Sequence, residues 1–188
     1  MSRQFWSETV SWATADGTAV ANTSSETILF PNVTIPANFM QDGRVLRIKA
    51  SGRYGNVVTS VPTLTFRLRW GGVAGTVLAA SGAITTSATA MTAALWTVEL
   101  LVQTRANGTS GSLFTMGDVQ LTTNTAPTFG TVTNYGVASM MASAGLATPA
   151  AVTVDLTADT ALSLTAQWSV GNASNTITGH IYTIEALN

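Results

Sequence analysis

Thr63-Leu64-Thr65-Phe66-Arg67-Leu68-Arg69-Trp70 alternates polar and apolar residues without a break. Successive side chains of a strand point to opposite faces. Leu64, Phe66, Leu68 and Trp70 therefore share one face, and Thr63, Thr65, Arg67 and Arg69 the other. One dry face and one wet face is the mark of a strand in an antiparallel sheet. The same period recurs on both sides of this stretch. Arg44–Tyr54 sets Leu46, Ile48 and Ala50 against Arg47, Lys49, Ser51 and Arg53. From residue 94 onward, Ala94, Trp96, Val98, Leu100 and Val102 alternate with Leu95, Thr97, Glu99, Leu101 and Gln103. Both of those faces are partly apolar, which predicts a central or interfacial strand. Leu113, Val119 and Leu121 share a face, as do Leu162, Leu164, Ala166, Trp168 and Val170. In the last run, simple alternation puts Ile177 and Ile181 on one side and His180, Tyr182 and Ile184 on the other.

Turn chemistry separates the runs: Asp16-Gly17, Asp42-Gly43, Gly71-Gly72, Asn107-Gly108 and Gly171-Asn172. No amphipathic helix is evident, and the alanine-rich Val137–Leu146 allows one short helical turn at most. Short strands with glycine- and asparagine-rich turns predict an all-β chain, a two-sheet antiparallel β-sandwich of jelly-roll topology. Residues 1–24 are expected to form an extended N-terminal arm, and residues 25–188 the sandwich domain. Phe5, Trp6 and Trp12 lie in the arm and would dock either on the domain itself or on a partner.

Only 9% of the 188 residues are charged, with one histidine, one lysine and no cysteine. An average soluble domain carries about 25% charge. Thiol chemistry and the usual zinc ligand sets are excluded. His180 is the sole candidate imidazole base, and no G-x-S-x-G elbow accompanies it. Asp155 and Asp159 flank a turn and read as solvated turn residues rather than calcium ligands. Glu99, Asp118 and Glu185 fall in predicted strands, where two could face each other as in a glycosidase, but no spacing selects a pair. The expectation is a protein that is not an enzyme and takes no cofactor. Gly136–Val154 is too diluted with serine, threonine, glycine and proline for a membrane span. No apolar h-region follows Arg3, so no signal peptide and no membrane partner are expected.

The net charge of −1 hides a segregation. Six basic residues and no acidic one lie between Gly43 and Val98. Arg47, Lys49, Arg53, Arg67 and Arg69 are expected to share a partner-binding basic face. Nucleic acid is not the expected partner, because the stacking aromatics are on the inward face. Thr122–Pro149 is long, uncharged and rich in Ala, Met and Gly. Its Phe129, Tyr135, Met140 and Met141 are expected at a contact with another copy of the chain.

Thr63–Gly72, Trp96–Arg105 and, above all, Asp155–Thr157, Leu162–Ser169, Ala173–Thr178 and Tyr182–Glu185 resemble strands of tailed-bacteriophage virion proteins of jelly-roll type. The resemblance implies a capsid decoration or cement protein on the virion's capsid surface. Such a protein would be a homotrimer that binds across subunits of the major capsid protein. It brings no active-site residues. The alternative it implies is a tail, fibre or receptor-binding module that grips a host glycan, with Trp6, Trp12 and Tyr135 as its aromatics.

Overall fold

The computed structural model describes residues 7–57, 61–122, 137–143 and 148–187. Within them the chain is all-β and antiparallel. The strands are β1 (Ser7–Trp12), β2 (Val20–Ala21), β3 (Thr27–Ile28), β4 (Val33–Ile35), β5 (Val45–Asn56), β6 (Thr63–Trp70) and β7 (Thr76–Ala80). They continue as β8 (Ile84–Thr85), β9 (Met91–Ala106), β10 (Gly111–Leu121), β11 (Val137–Ala142), β12 (Val152–Val154), β13 (Thr160–Trp168) and β14 (Thr176–Leu187). Hydrogen bonds run β1-β14-β5-β9-β10-β11-β7-β6-β13-β3. Two layers result: β1-β14-β5-β9-β10 and β7-β6-β13, with β3 and β4 beyond β13 and β11 as the join. The main strands pair in nested fashion, β5 with β14, β6 with β13, β7 with β11 and β9 with β10. That nesting is the one expected of a jelly roll. The lateral pairings β5–β9 and β6–β7 then decide which strands share a layer.

The core is the set of inward residues that the alternation names. Leu46, Ile48, Ala50 and Tyr54 of β5, Ala94 to Val102 of β9 by twos, and Leu64 to Trp70 of β6 by twos are all buried. Between the layers Trp96 meets Phe66 at 5.4 Å and Phe30 at 6.4 Å, centroid to centroid, and Phe30 meets Tyr182 edge-on at 4.8 Å. The Trp96 indole N–H donates to the Thr178 carbonyl. Two glycines make room for this stack. A Cβ on Gly52 would lie 2.8 Å from Trp96 Nε1 and 1.9 Å from the Thr178 carbonyl oxygen, and one on Gly179 would lie 2.3 Å from the Phe30 ring.

Two expectations change, and the docking of the arm, left open between the domain and a partner, is decided for residues 7–12 and 20–21. Val137–Ala142 is strand β11, not a helical turn: it answers the unpaired edge of β10 from Met116 to Leu121. Within the expected arm, Ser7–Trp12 and Val20–Ala21 pair with β14 and extend the sheet, so this part docks on the domain itself. In β14 the register slips between Gly179 and Ile181. His180 is the extra residue of that bulge, and one inserted residue reverses the alternation beyond it. Ile177 and Ile184 are therefore buried, Tyr182 packs on the core, and Ile181 faces solvent at 63% exposure.

Outside the second layer, Glu26 ties the charge of β6. Its carboxylate accepts from Arg67 Nη1 at 3.0 Å, from Arg69 Nε and Nη2, and from the Thr165 hydroxyl. Burial raises the Glu26 pKa. The hydrogen bonds from Arg69 and Thr165 and the charges of Arg67 and Arg69 outweigh this and hold it below its ordinary value. A carboxyl whose folded pKa is depressed adds stability above its unfolded pKa and loses it as pH falls through the folded one. Melting temperature should therefore drop as pH falls below about 4.5. Glu26→Gln should flatten that limb while costing roughly 2–4 kcal/mol at neutral pH, because it strands two guanidinium groups. Burial pushes Tyr54 up to about 12, so the same melts should fall again as pH rises from about 10 through 12. Trp96→Ala should cost about 3–5 kcal/mol by denaturant titration, and Gly52→Ala about 1–3 kcal/mol by overpacking the stack.

Candidate functional site

The outer face of the β1-β14-β5-β9-β10 layer exposes polar, charged and apolar side chains together, among them Trp12, Leu101, Met116, Met140 and Ile181. Register puts Trp12, Thr183, Lys49, Glu99, Asp118 and Met140 in one row across six strands. Directly paired residues of an antiparallel sheet share a face. Trp12 stands at one end of the row, 58% exposed, and Met140 at the other. The row on one side holds Glu185, Arg47, Leu101 and Met116, and the row on the other holds Ile181, Ser51, Thr97 and Gln120. A shallow groove of about 370 Å³ follows the middle of this face, lined by Lys49, Ser51, Thr97, Glu99, Asp118, Gln120, Ile181 and Thr183.

Local sequence explains each position. The alternation of β5 and β9 turns Lys49, Ser51, Thr97 and Glu99 outward because their neighbours Ile48, Ala50, Val98 and Leu100 are core. Thr183 points outward because the His180 bulge sets the phase of β14 beyond it. A second irregularity between Thr9 and Ser11 does the same for β1. Ser11 there turns inward, its hydroxyl 2.9 Å from that of Tyr182, and Trp12 turns out.

Charges on this face are mostly matched. Arg47 holds Glu185 through Nε and Nη2, and Lys49 Nζ lies 3.2 Å from Glu99. His180 Nδ1 lies 2.8 Å from Asp16, and its Nε2 accepts from Arg53 Nε at 3.0 Å. An Asp–His pair makes two of the three members of a hydrolase triad. Here the nitrogen that would deprotonate a serine is taken by a guanidinium. Asp118 accepts from Gln120 Nε2 at 3.0 Å and meets no cation among the described residues.

The sequence-predicted residues divide as follows. Arg47, Lys49 and Arg53 lie on this face, whereas Arg67 and Arg69 lie on the opposite layer, bound to Glu26. The expected single basic face is thus split, because β5 and β6 belong to different layers. Met140 is exposed, but Met141 is fully buried in the core, since the next residue of a strand points the other way. Met141 is therefore a core residue and not part of an interface. Phe5, Trp6, Phe129 and Tyr135 lie outside the described residues. Glu99 and Asp118 are direct cross-strand partners, which their spacing in the sequence could not reveal. Glu185 stands away from them, held by Arg47. Asp155 accepts from the Thr157 backbone and hydroxyl, which lowers its pKa, and Asp159 accepts from the Ala37 N–H. Both serve turns. Among the described residues no three His, Cys, Asp or Glu side chains gather as a metal set.

No family model and no curated protein matches this chain. Among solved structures it is similar to the CBM2 module of the evolved Dit of Lactobacillus casei BL23 phage J-1. The identity is 11%, the match covers 99% of this chain and 98% of that one, and the TM-score is 0.37.

Proposed function

We propose that the outer face of the β1-β14-β5-β9-β10 layer binds carbohydrate, and that the chain is a receptor-binding module of a phage tail or fibre. The observation that carries this is the row from Trp12 through Thr183, Lys49 and Glu99 to Asp118. A sugar ring offers an apolar face and a rim of hydroxyls. A site for it needs an exposed aromatic beside a few fixed donors and acceptors. Trp12 supplies the first. The hydroxyls of Ser51, Thr97 and Thr183, the Gln120 amide and the two carboxylates supply the second. Four strand spacings separate Trp12 from Asp118, roughly 19 Å, so the face accommodates a short oligosaccharide lying across the strands.

The virion setting rests on the resemblance of the β6, β9, β13 and β14 segments to phage structural proteins. A head-cement role, with the major capsid protein as partner and a homotrimer as the unit, asks for a continuous basic face and an apolar contact. Arg67 and Arg69 are committed to Glu26, and Met141 to the core. Of the described residues, those left to that role are the ones on the carbohydrate face itself. Binding without cleavage fits an open, solvated groove in which Glu99 is half exposed and ion-paired.

Isothermal titration with polysaccharides from host cell walls tests the reading. Stacking of a sugar would cover about 60–100 Å² of Trp12, worth about 1.5–2.5 kcal/mol at 25 cal/mol/Å². Trp12→Ala should therefore weaken binding at least about tenfold with little change in melting temperature. A wild-type chain that binds no host polysaccharide, or a Trp12→Ala chain that binds as well as wild type, would overturn it.

A further inference from the structure

We infer that the glycan taken by this face carries free amino groups, and that Asp118 is the residue that receives the ammonium. This rests on the carbohydrate reading above and adds the chemical class of the sugar. The charged side chains lining the groove are Lys49, Glu99 and Asp118, and of these, among the described residues, Asp118 is the one with no opposite charge beside it. Lys49 answers Glu99; on the same face beyond the groove Arg47 answers Glu185, and Arg53 donates to His180, which lies against Asp16. Asp118 alone is answered by a neutral amide.

Glu99 and Asp118 sit directly opposite each other on β9 and β10. Like charges at directly opposed positions destabilise a sheet. Lys49 offsets one of them, and the groove keeps a net charge of −1 from these three side chains. The occupant that completes this arrangement is a cation with hydrogen-bond donors. An ammonium has three N–H donors and no acceptor, whereas a carboxylate has about four acceptor sites. Gln120 occupies one of the sites on Asp118. The surrounding Ser51, Thr97 and Thr183 hydroxyls suit a polyol, and Ile181, Leu101 and Met116 offer apolar contact for the ring faces. Hydroxyls, apolar ring faces and an ammonium together describe an amino sugar that is not acetylated. An acidic polysaccharide would meet the unpaired carboxylate and be repelled.

The full chain should be titrated at low salt with a glucosamine tetramer, with its N-acetylated counterpart and with a hyaluronan fragment. One exposed ion pair predicts a two- to fivefold preference for the free amine over the acetylated tetramer. That preference should vanish in Asp118→Asn and at high salt. Asp159→Asn, which removes the same charge from a distant turn, should keep it. Hyaluronan should bind most weakly. Equal affinity for the two tetramers, a preference that survives Asp118→Asn, or strong hyaluronan binding would overturn the inference. So would tetramer binding that requires added calcium, since the cation would then be a metal. If host polysaccharides bind without regard to amino groups, only this inference falls. If no sugar binds, the carbohydrate reading falls with it.

Discussion

Trp96, held between Phe66 of the facing layer and Phe30, is the contact on which the rest of the sandwich depends. It is fully buried, its one polar atom is satisfied by the Thr178 carbonyl, and Gly52 and Gly179 are cleared of side chains around it and Phe30. Away from the β11 join, the two layers are held together by interdigitating side chains. The largest inward side chains therefore set the spacing and alignment of the layers. Once Trp96 is seated, β5 and β14 must pass on one side of it with glycine at the crossing. Their outward residues, Lys49, Ser51 and Thr183, are then brought level with one another.

Low overall charge is distributed in two different ways. On the β6–β13 layer it is neutralised inside the chain: Glu26, from a short segment beside β3, satisfies two arginines and a threonine and leaves little for a partner. On the β5–β9 layer the ion pairs are more exposed, and such pairs contribute little to stability. Charge kept on a surface where it stabilises little is more readily understood as a recognition feature than as part of the folding energetics.

Period-two patterning made most of the fold legible. The inward faces of β5, β6, β9 and β13 follow directly from alternation, since one residue of slip would expose every core side chain on a strand. Alternation failed where a bulge interrupts it. Nothing in Gly179-His180-Ile181 announces an extra residue, so the outward turn of Ile181 and Thr183 was hidden. Strand β11 was hidden because alanine and methionine carry no β preference of their own and are placed by the edge of β10. The groove itself is a product of pairing between distant segments. Trp12, Lys49, Glu99 and Asp118 were each visible as exposed or charged residues, but their common row depends on four register assignments that no local pattern encodes. The split of the arginines between layers was invisible for the same reason.

Among the described residues strand β1 is hydrogen-bonded to one strand, β14, and it carries an irregularity midway. It is the outermost strand of its layer, yet it supplies Trp12, the aromatic end of the row that crosses the sheet. Segments with a single hydrogen-bonded neighbour open at lower free energy than central ones. A molecule resting on Trp12 while gripping β5 and β10 would bridge the rim of the sheet to its middle. Occupancy would then hold the rim closed, so the protein would sense its target as a gain in local order along one margin.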